Sequence, residues 1–395
     1  MCNLLHLVEY PRRTICWVNE RSERKTRTKE VLVHDCLKRR LKRCFASRES
    51  FSAGRCRTLL RAFAALALVA FSASIALAES CLTSTDMDAA TRTALTNSAL
   101  RYFDLIAKGD AASVRQNSIP SLAGDFSGIE STIKENQPPL AGAKATARPP
   151  FLLEEEGTAT IPRAEFFCGV FGKNGQTAGS AAFSLNSLAP GKYGVIIVDA
   201  SSLKGMYTVS LILQQQGSDW KLGGLYIKSA QLNGHDNDWF IARAHDFQSK
   251  GQTHNAWLYY LVARSLVSPL PFMSTAASDK LYDDSQKLQP GDFPADGKTA
   301  DLSAPTAPGT TAGTATYKLT ALFPEAVGSD LDLIVRYQVA DVSNTNQTYQ
   351  SNVAVMKALI TKYPELRDAF AAVVARAVDP NGHDYGTMLV MKDIK

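Results

Sequence analysis

The sequence predicts an α+β fold, and three features carry that prediction. An amphipathic helical stretch opens the chain beyond residue 78, a long run of strand patterns follows, and helical spacing returns from Asp238. Helices and strands come in blocks rather than in strict alternation, which argues against a doubly wound parallel sheet. Of the 395 residues, 45% are hydrophobic and 21% charged, a composition that can fill a core.

Residues 1–78 read as a basic leader and signal peptide. Arg55, Arg57 and Arg61 supply a positive flank, Ala62 to Phe71 an apolar centre, and Ala76 and Ala78 the small side chains that a signal peptidase accepts. Cleavage is expected after Ala78, leaving Glu79 as the mature N-terminus. The alternative is a signal-anchored membrane form, because Ala62 to Ala78 carries no charge. That stretch is at the short end of the roughly 17–25 residues needed to span a bilayer. Glu79, so close before Cys81, does not suit a lipidation site. The leader is also far longer than a signal of about 15–30 residues, which points to a start near Arg55 and leaves the translation of residues 1–54 open. The expected location is periplasmic or extracellular.

Charge and cysteine divide at the same place. Residues 1–61 hold 16 of the 43 basic and 6 of the 38 acidic residues, a net of +10, and the remainder is about −5. The run Lys38-Arg39-Arg40-Leu41-Lys42-Arg43 lacks the interleaved aromatics of a nucleic-acid surface and precedes an export signal, so no nucleic-acid partner is expected. Five of the seven cysteines lie in the leader at spacings that fit no zinc or redox motif. Cys81 and Cys168 remain, as a candidate disulfide in an oxidising compartment or as two free thiols.

Beyond the leader, Thr85 is expected to cap a helix with Asp88 as its capping-box partner. Leu95, Ala99, Tyr102, Phe103 and Ile106 share one face, and Lys108-Gly109 closes the helix. Shorter helices should run up to Ile119-Pro120 and over Phe126 to Ile133, before Pro138-Pro139. Strands begin at Lys144. Glu165 to Gly172 and Thr177 to Leu185 flank an Asn174-Gly175 hairpin turn. Tyr193 to Val198 is continuously apolar, as in a strand covered on both faces. Tyr207, Val209, Leu211 and Leu213 alternate with polar residues, and Trp220 to Lys228 returns after Gly217 with a bulge at Gly223-Gly224.

The opening helix with its Ala107-Lys108-Gly109-Asp110 ending, and the Gly217-Ser218-Asp219-Trp220-Lys221-Leu222 strand, resemble the NTF2-like superfamily over roughly residues 83–228. That resemblance implies a curved antiparallel sheet wrapping a helix into a cone. Phe240, Ala244, Phe247, Gly251, Ala256, Tyr260 and Ala263 resemble one tetratricopeptide unit, with Pro269 a residue later than usual. A single unit leaves an apolar face uncovered, so the hairpin is expected to dock on the preceding sheet, giving a domain over 79–288 with a further helix at Ser274 to Leu288. Residues 289–316, rich in Pro, Gly, Thr and Ala, read as a linker. A small α+β domain over 317–395 follows, with strands near Tyr317 to Phe323 and Leu331 to Val342, helices over Gln350 to Lys362 and Glu365 to Ala377, and a last strand at Tyr385 to Ile394.

Chemistry is sparse. Gly291 to Thr299 ends in Gly-Lys-Thr, but with five residues rather than four before it and Pro294 among them, so it does not fit a phosphate loop. His235-Asp236, Asp238, His245-Asp246 and His254 form the densest run of potential ligands, yet no two histidines stand four apart on a helix. Those residues and His383-Asp384 read as polar side chains on the surface, and Glu154-Glu155-Glu156 as a solvated strand edge. Phe166, Phe167, Tyr193, Tyr207 and Trp220 either line a cone or fill it, with core preferred. No catalytic residue, cofactor or metal site is expected. The expectation is an exported binding or scaffolding protein of the cell envelope with a protein or small-molecule partner. The alternative is an enzyme using a polar group in the cone for proton transfer.

Overall fold

The first helix, α1 (Ala89–Lys108), forms where spacing places it, and its apolar stripe is buried from Leu95 to Ile106. In this computed structural model the described residues are 79–172, 175–295, 297–306 and 313–395. The signal segment with Ala76 and Ala78, and Lys173-Asn174 of the expected turn, lie outside the described residues. Asp88, not Thr85, caps α1, accepting from Thr91 N–H at 2.8 Å. The preceding turn is closed instead by Asp86, whose carboxylate takes the Thr83 N–H at 3.2 Å. Gly109 ends the helix at φ +74°, a left-handed conformation open to glycine.

Three helices follow: α2 (Ala111–Gln116), α3 (Pro120–Gly124) and α4 (Ser127–Leu140). Contrary to expectation, α4 runs through Pro138 and Pro139. They sit in its last turn, where the carbonyls lack helical partners. Lys204 Nζ and Ser202 Oγ donate to those carbonyls at 3.1 and 2.8 Å.

The strands are β1 (Ser80–Leu82), β2 (Lys144–Ala147), β3 (Phe151–Glu155), β4 (Ile161–Cys168), β5 (Phe171–Gly172), β6 (Gly175–Gln176), β7 (Ala181–Leu188), β8 (Gly191–Ser202), β9 (Gly205–Gln216) and β10 (Asp219–Ser229). Among the described residues, one antiparallel sheet has the order β1-β3-β8-β9-β10, with β2 also on β8. Its central strand is buried on both faces, which explains the unbroken apolar run. Ile196, Val198 and Ala200 join α1 in one core, while Tyr193, Val195 and Ile197 join Phe166 and Phe183 of β4 and β7 in another. Gly194 is required where the helix presses on β8, since a Cβ there would lie 2.2 Å from Leu95 Cδ2. The bulge in β10 falls between Leu222 and Gly224. Cys81 and Cys168 are joined by a disulfide, Cα to Cα 5.0 Å, which ties β1 of the larger sheet to β4 of the smaller.

The helical hairpin is α5 (Asn237–Ser249) and α6 (Thr253–Val267), followed by β11 (Met273–Thr275) and α7 (Ala276–Gln286). β11 pairs with β7, so this segment returns to the first region. The hairpin's main apolar face does not. Phe240, Phe247 and Tyr260 share a core with Leu319, Leu333, Val335 and Leu359 of the C-terminal region, across the stretch expected to be a linker.

That region holds β12 (Ala300–Pro305), β13 (Thr314–Val327), β14 (Asp330–Gln338), α8 (Thr345–Lys362), β15 (Ala372–Val378) and β16 (Asp384–Val390), in the sheet order β12-β13-β14-β15-β16. β12 falls in the stretch expected to be a linker. It pairs with β13 at the edge of the sheet, where Pro305 ends it without removing an interior ladder bond. The expected helix over Glu365 to Ala377 is a 3₁₀ turn (Pro364–Asp368) and then β15. β15 pairs parallel with β14 through the α8 crossover. Ala375 and Ala377 alternate inward with Val373, and their small size lets α8 approach the sheet. Tertiary packing thus overrides the helical propensity of an alanine-rich segment.

Candidate binding site

The space between α1 and the large sheet is where a cone would open, and side chains fill it. Tyr102, Phe103, Ile106 and Trp220 are buried there with Val209 and Leu211. The Tyr102 hydroxyl lies 2.6 Å from Asn117 O and 3.1 Å from Trp220 O, and it accepts the Leu222 N–H at 3.1 Å. Burial holds this phenol above its ordinary pKa. Its proton and one of its lone pairs are engaged by backbone groups, and the side chain is wholly buried. Of the other aromatics read as core, Phe166 and Tyr193 lie in the second core, on the far face of the sheet. Phe167 is 62% exposed and pairs edge-on with Phe171. Its outward position follows from strand alternation, since Phe166 and Cys168 already point inward.

A polar cleft of about 420 Å³ lies at the rim of this region, between the middle of α1 and the β9–β10 turn. Ala94, Asn97, Ser98 and Arg101 form one wall, at the i, i+3, i+4, i+7 spacing of a single helix face. The turn supplies Asp219 and Lys221, with the buried Trp220 between them. Gly217 makes this turn at φ +64°. The Arg101 guanidinium lies 5.0 Å from the Tyr102 ring centroid, and Nη1 makes a long contact of 3.4 Å to Asn117 Oδ1. The sequence carried the local cue of that spacing, but not the partner turn more than a hundred residues away.

The histidines do not gather. His235 stacks on Trp239 at 3.8 Å, and His245 Nε2 lies 3.3 Å from Tyr260 OH. His383 holds Asp379, and Asp236 caps α5. Among the described histidines, His254 alone is bracketed by carboxylates, with Nδ1 2.7 Å from Glu365 Oε1 and Nε2 3.2 Å from Asp292 Oδ1. Asp292 also accepts from Tyr363 OH at 2.8 Å. Burial, the largest single effect, pushes the Asp292 carboxyl up, but the hydrogen bonds from Tyr363 and His254 together with the His254 charge outweigh it and hold its pKa below the ordinary value. The two carboxylates approach opposite edges of the imidazole ring, so they do not converge on one ion. Among the described residues no group of three or more His, Cys, Asp or Glu forms a metal site. The arrangement clasps the hairpin to the C-terminal region.

No family model, curated protein or solved structure matches the chain. The chemistry therefore rests on these residues alone. Glu155, expected at a solvated strand edge, is buried, and Lys228 is a second ionisable group shifted by burial. Glu155 is 5% exposed with Oε2 unpaired, and burial raises its pKa. It sits at the end of β3, apart from the cleft walls. Lys228 of β10 donates to Ser265 O and, at 2.6 Å, to Ser268 O at the end of α6, and burial lowers its pKa to about 8. Such a lysine still carries its charge at neutral pH, where it complements a helix C-terminus.

Proposed function

We propose that the chain is an exported protein of the cell envelope that binds or scaffolds, built on an NTF2-like cone with a tetratricopeptide-like hairpin behind it. The observation that carries this reading is the filled interior. Tyr102, Phe103 and Trp220 occupy the place where a catalytic cone would hold substrate, and the buried phenol is engaged by backbone groups. A general acid or base must reach the proton it transfers, and Tyr102 faces no open cavity from which it can do so. Binding is left to the surface.

Export is supported by the signal-like pattern ending at Ala78 and by the Cys81–Cys168 bond, a type of link favoured in oxidising compartments. The test is to express the full chain, fractionate the cells, and determine the N-terminus and mass of the product. An exported chain beginning at Glu79 is expected. Small polar ligands that raise its melting temperature are then incubated with it and followed by mass spectrometry. Recovery of unchanged ligand supports binding, whereas turnover, or a cytosolic product keeping residues 1–78, overturns the proposal.

A further inference from the structure

The rim cleft has what the interior lacks, namely unengaged polar groups facing shared space. Asn97, Ser98, Asp219 and Lys221 make no side-chain hydrogen bond or ion pair with another described residue. Arg101 uses one of its donors on a long contact to Asn117 and is steadied by the Tyr102 ring, so most of its donor fork stays available. Rigid elements hold both walls. α1 is fixed by its buried stripe, and the turn is fixed because Trp220 and Leu222 are buried on either side of Lys221. A site that is already in shape before its ligand arrives avoids much of the ordering cost of binding.

The geometry points to this cleft as a binding site for a small hydroxylated carboxylate of the sugar-acid class, an inference that rests on reading the protein as a binder. Two cations against one carboxylate select an anion over a zwitterion or a neutral polyol. Arginine's planar fork matches the two oxygens of a carboxylate, and Lys221 adds a point charge from the opposite wall. Asn97, Ser98 and Asp219 offer donors and acceptors for ring hydroxyls. The volume of about 420 Å³ falls in the usual range for small-molecule pockets of roughly 300–1,000 Å³. The lining is mostly polar, which disfavours an apolar ligand.

The experiment is isothermal titration calorimetry on the exported protein with galacturonate, galactose and sodium sulfate as probes. Saturable galacturonate binding is expected, at least tenfold tighter than either galactose or sulfate. Arg101→Met and Lys221→Met should each weaken it at least tenfold while near-ultraviolet circular dichroism stays unchanged. Arg101→Lys should recover part of the loss, and Lys108→Met, beyond the cleft, should change nothing. Equal binding of galactose overturns the carboxylate, and equal binding of sulfate overturns the sugar. No saturable binding, or variants without effect, overturns the site. If galacturonate binds there and is converted, the site stands and the non-catalytic reading falls. If an exported protein ignores all three probes, the site falls and that reading stands.

Discussion

The two large sheets of this protein are covered in different ways, and the difference explains where the helical hairpin goes. In the N-terminal region β8 is buried from both sides, by α1 on one face and by β4 and β7 on the other. In the C-terminal region α6 and α8 share one face of the sheet with a single core, while Met388 and Val390 on the opposite face are exposed. A hairpin with an uncovered apolar face needs a sheet face still free to receive it. The nearer sheet in sequence had none to offer, so the hairpin shares a core with residues that follow it.

The largest effect that separates the regions should come from the disulfide. It closes a loop with a sequence separation of 87, worth about 4–5 kcal/mol on the chain-entropy account. The double substitution Cys81→Ser with Cys168→Ser is expected to destabilise the N-terminal region by several kcal/mol. Hydrogen exchange should report faster opening of β8 and β9, with β14 and α8 unchanged. Equal acceleration in both regions would mean that they unfold as one unit.

Phe247→Ala probes the other core. Phe247 is buried between the hairpin and its neighbours, and such truncations cost about 3–5 kcal/mol. Amides of α5 and α6 should exchange faster together with those of β13 and β14, while β8 holds. A response confined to the hairpin would show that it folds apart from the C-terminal sheet. Gly194→Ala should act in the opposite region and more weakly. The new methyl would meet Leu95 Cδ2 at 2.2 Å, an overpacking expected to cost about 1–3 kcal/mol. Pairing it with Leu95→Val should recover part of the loss if that contact is the cause, and unchanged stability in the double variant would point elsewhere.

The same contrast governs what was legible in the sequence. In the first region the main local signals agreed with the fold, the Thr85 cap and the Pro138-Pro139 stop excepted: helical spacing from Leu95 to Ile106, an unbroken apolar run in β8, and a glycine pair at the β10 bulge. In the second region local and tertiary preferences conflict. The Ala369 to Ala377 stretch is rich in alanine, yet from Ala372 it becomes a strand parallel to β14, where Val373, Val374 and Val378 suit a sheet and α8 packs against it. β12 looked like a linker because a short edge strand with a terminal proline carries little pattern of its own. The His254 clasp was invisible for a different reason. Its carboxylates lie 38 and 111 residues away, so no spacing rule reaches them. Half of the rim cleft was written as a helix stripe, and the other half came only with the fold.

The smallest predicted effect concerns the link between the regions, where Lys228 of β10 holds the end of α6. Burial lowers its pKa from 10.5 to about 8, while the unfolded chain keeps the ordinary value. Below about pH 8 both states are protonated, and the folded protein bears the whole penalty of burying the charge. Between about pH 8 and about pH 10.5 the unfolded state binds more protons, so this group makes stability rise with pH rather than fall. From about pH 7.5 to about pH 9 the gain should be about 1 kcal/mol. Comparing urea melts of the native protein with those of Lys228→Met over that interval cancels the other titrating groups. The native protein should gain on the variant as pH rises. A flat difference would show that the carbonyls at the end of α6 stabilise the ammonium enough to offset its burial, and that this link between the regions is insensitive to pH.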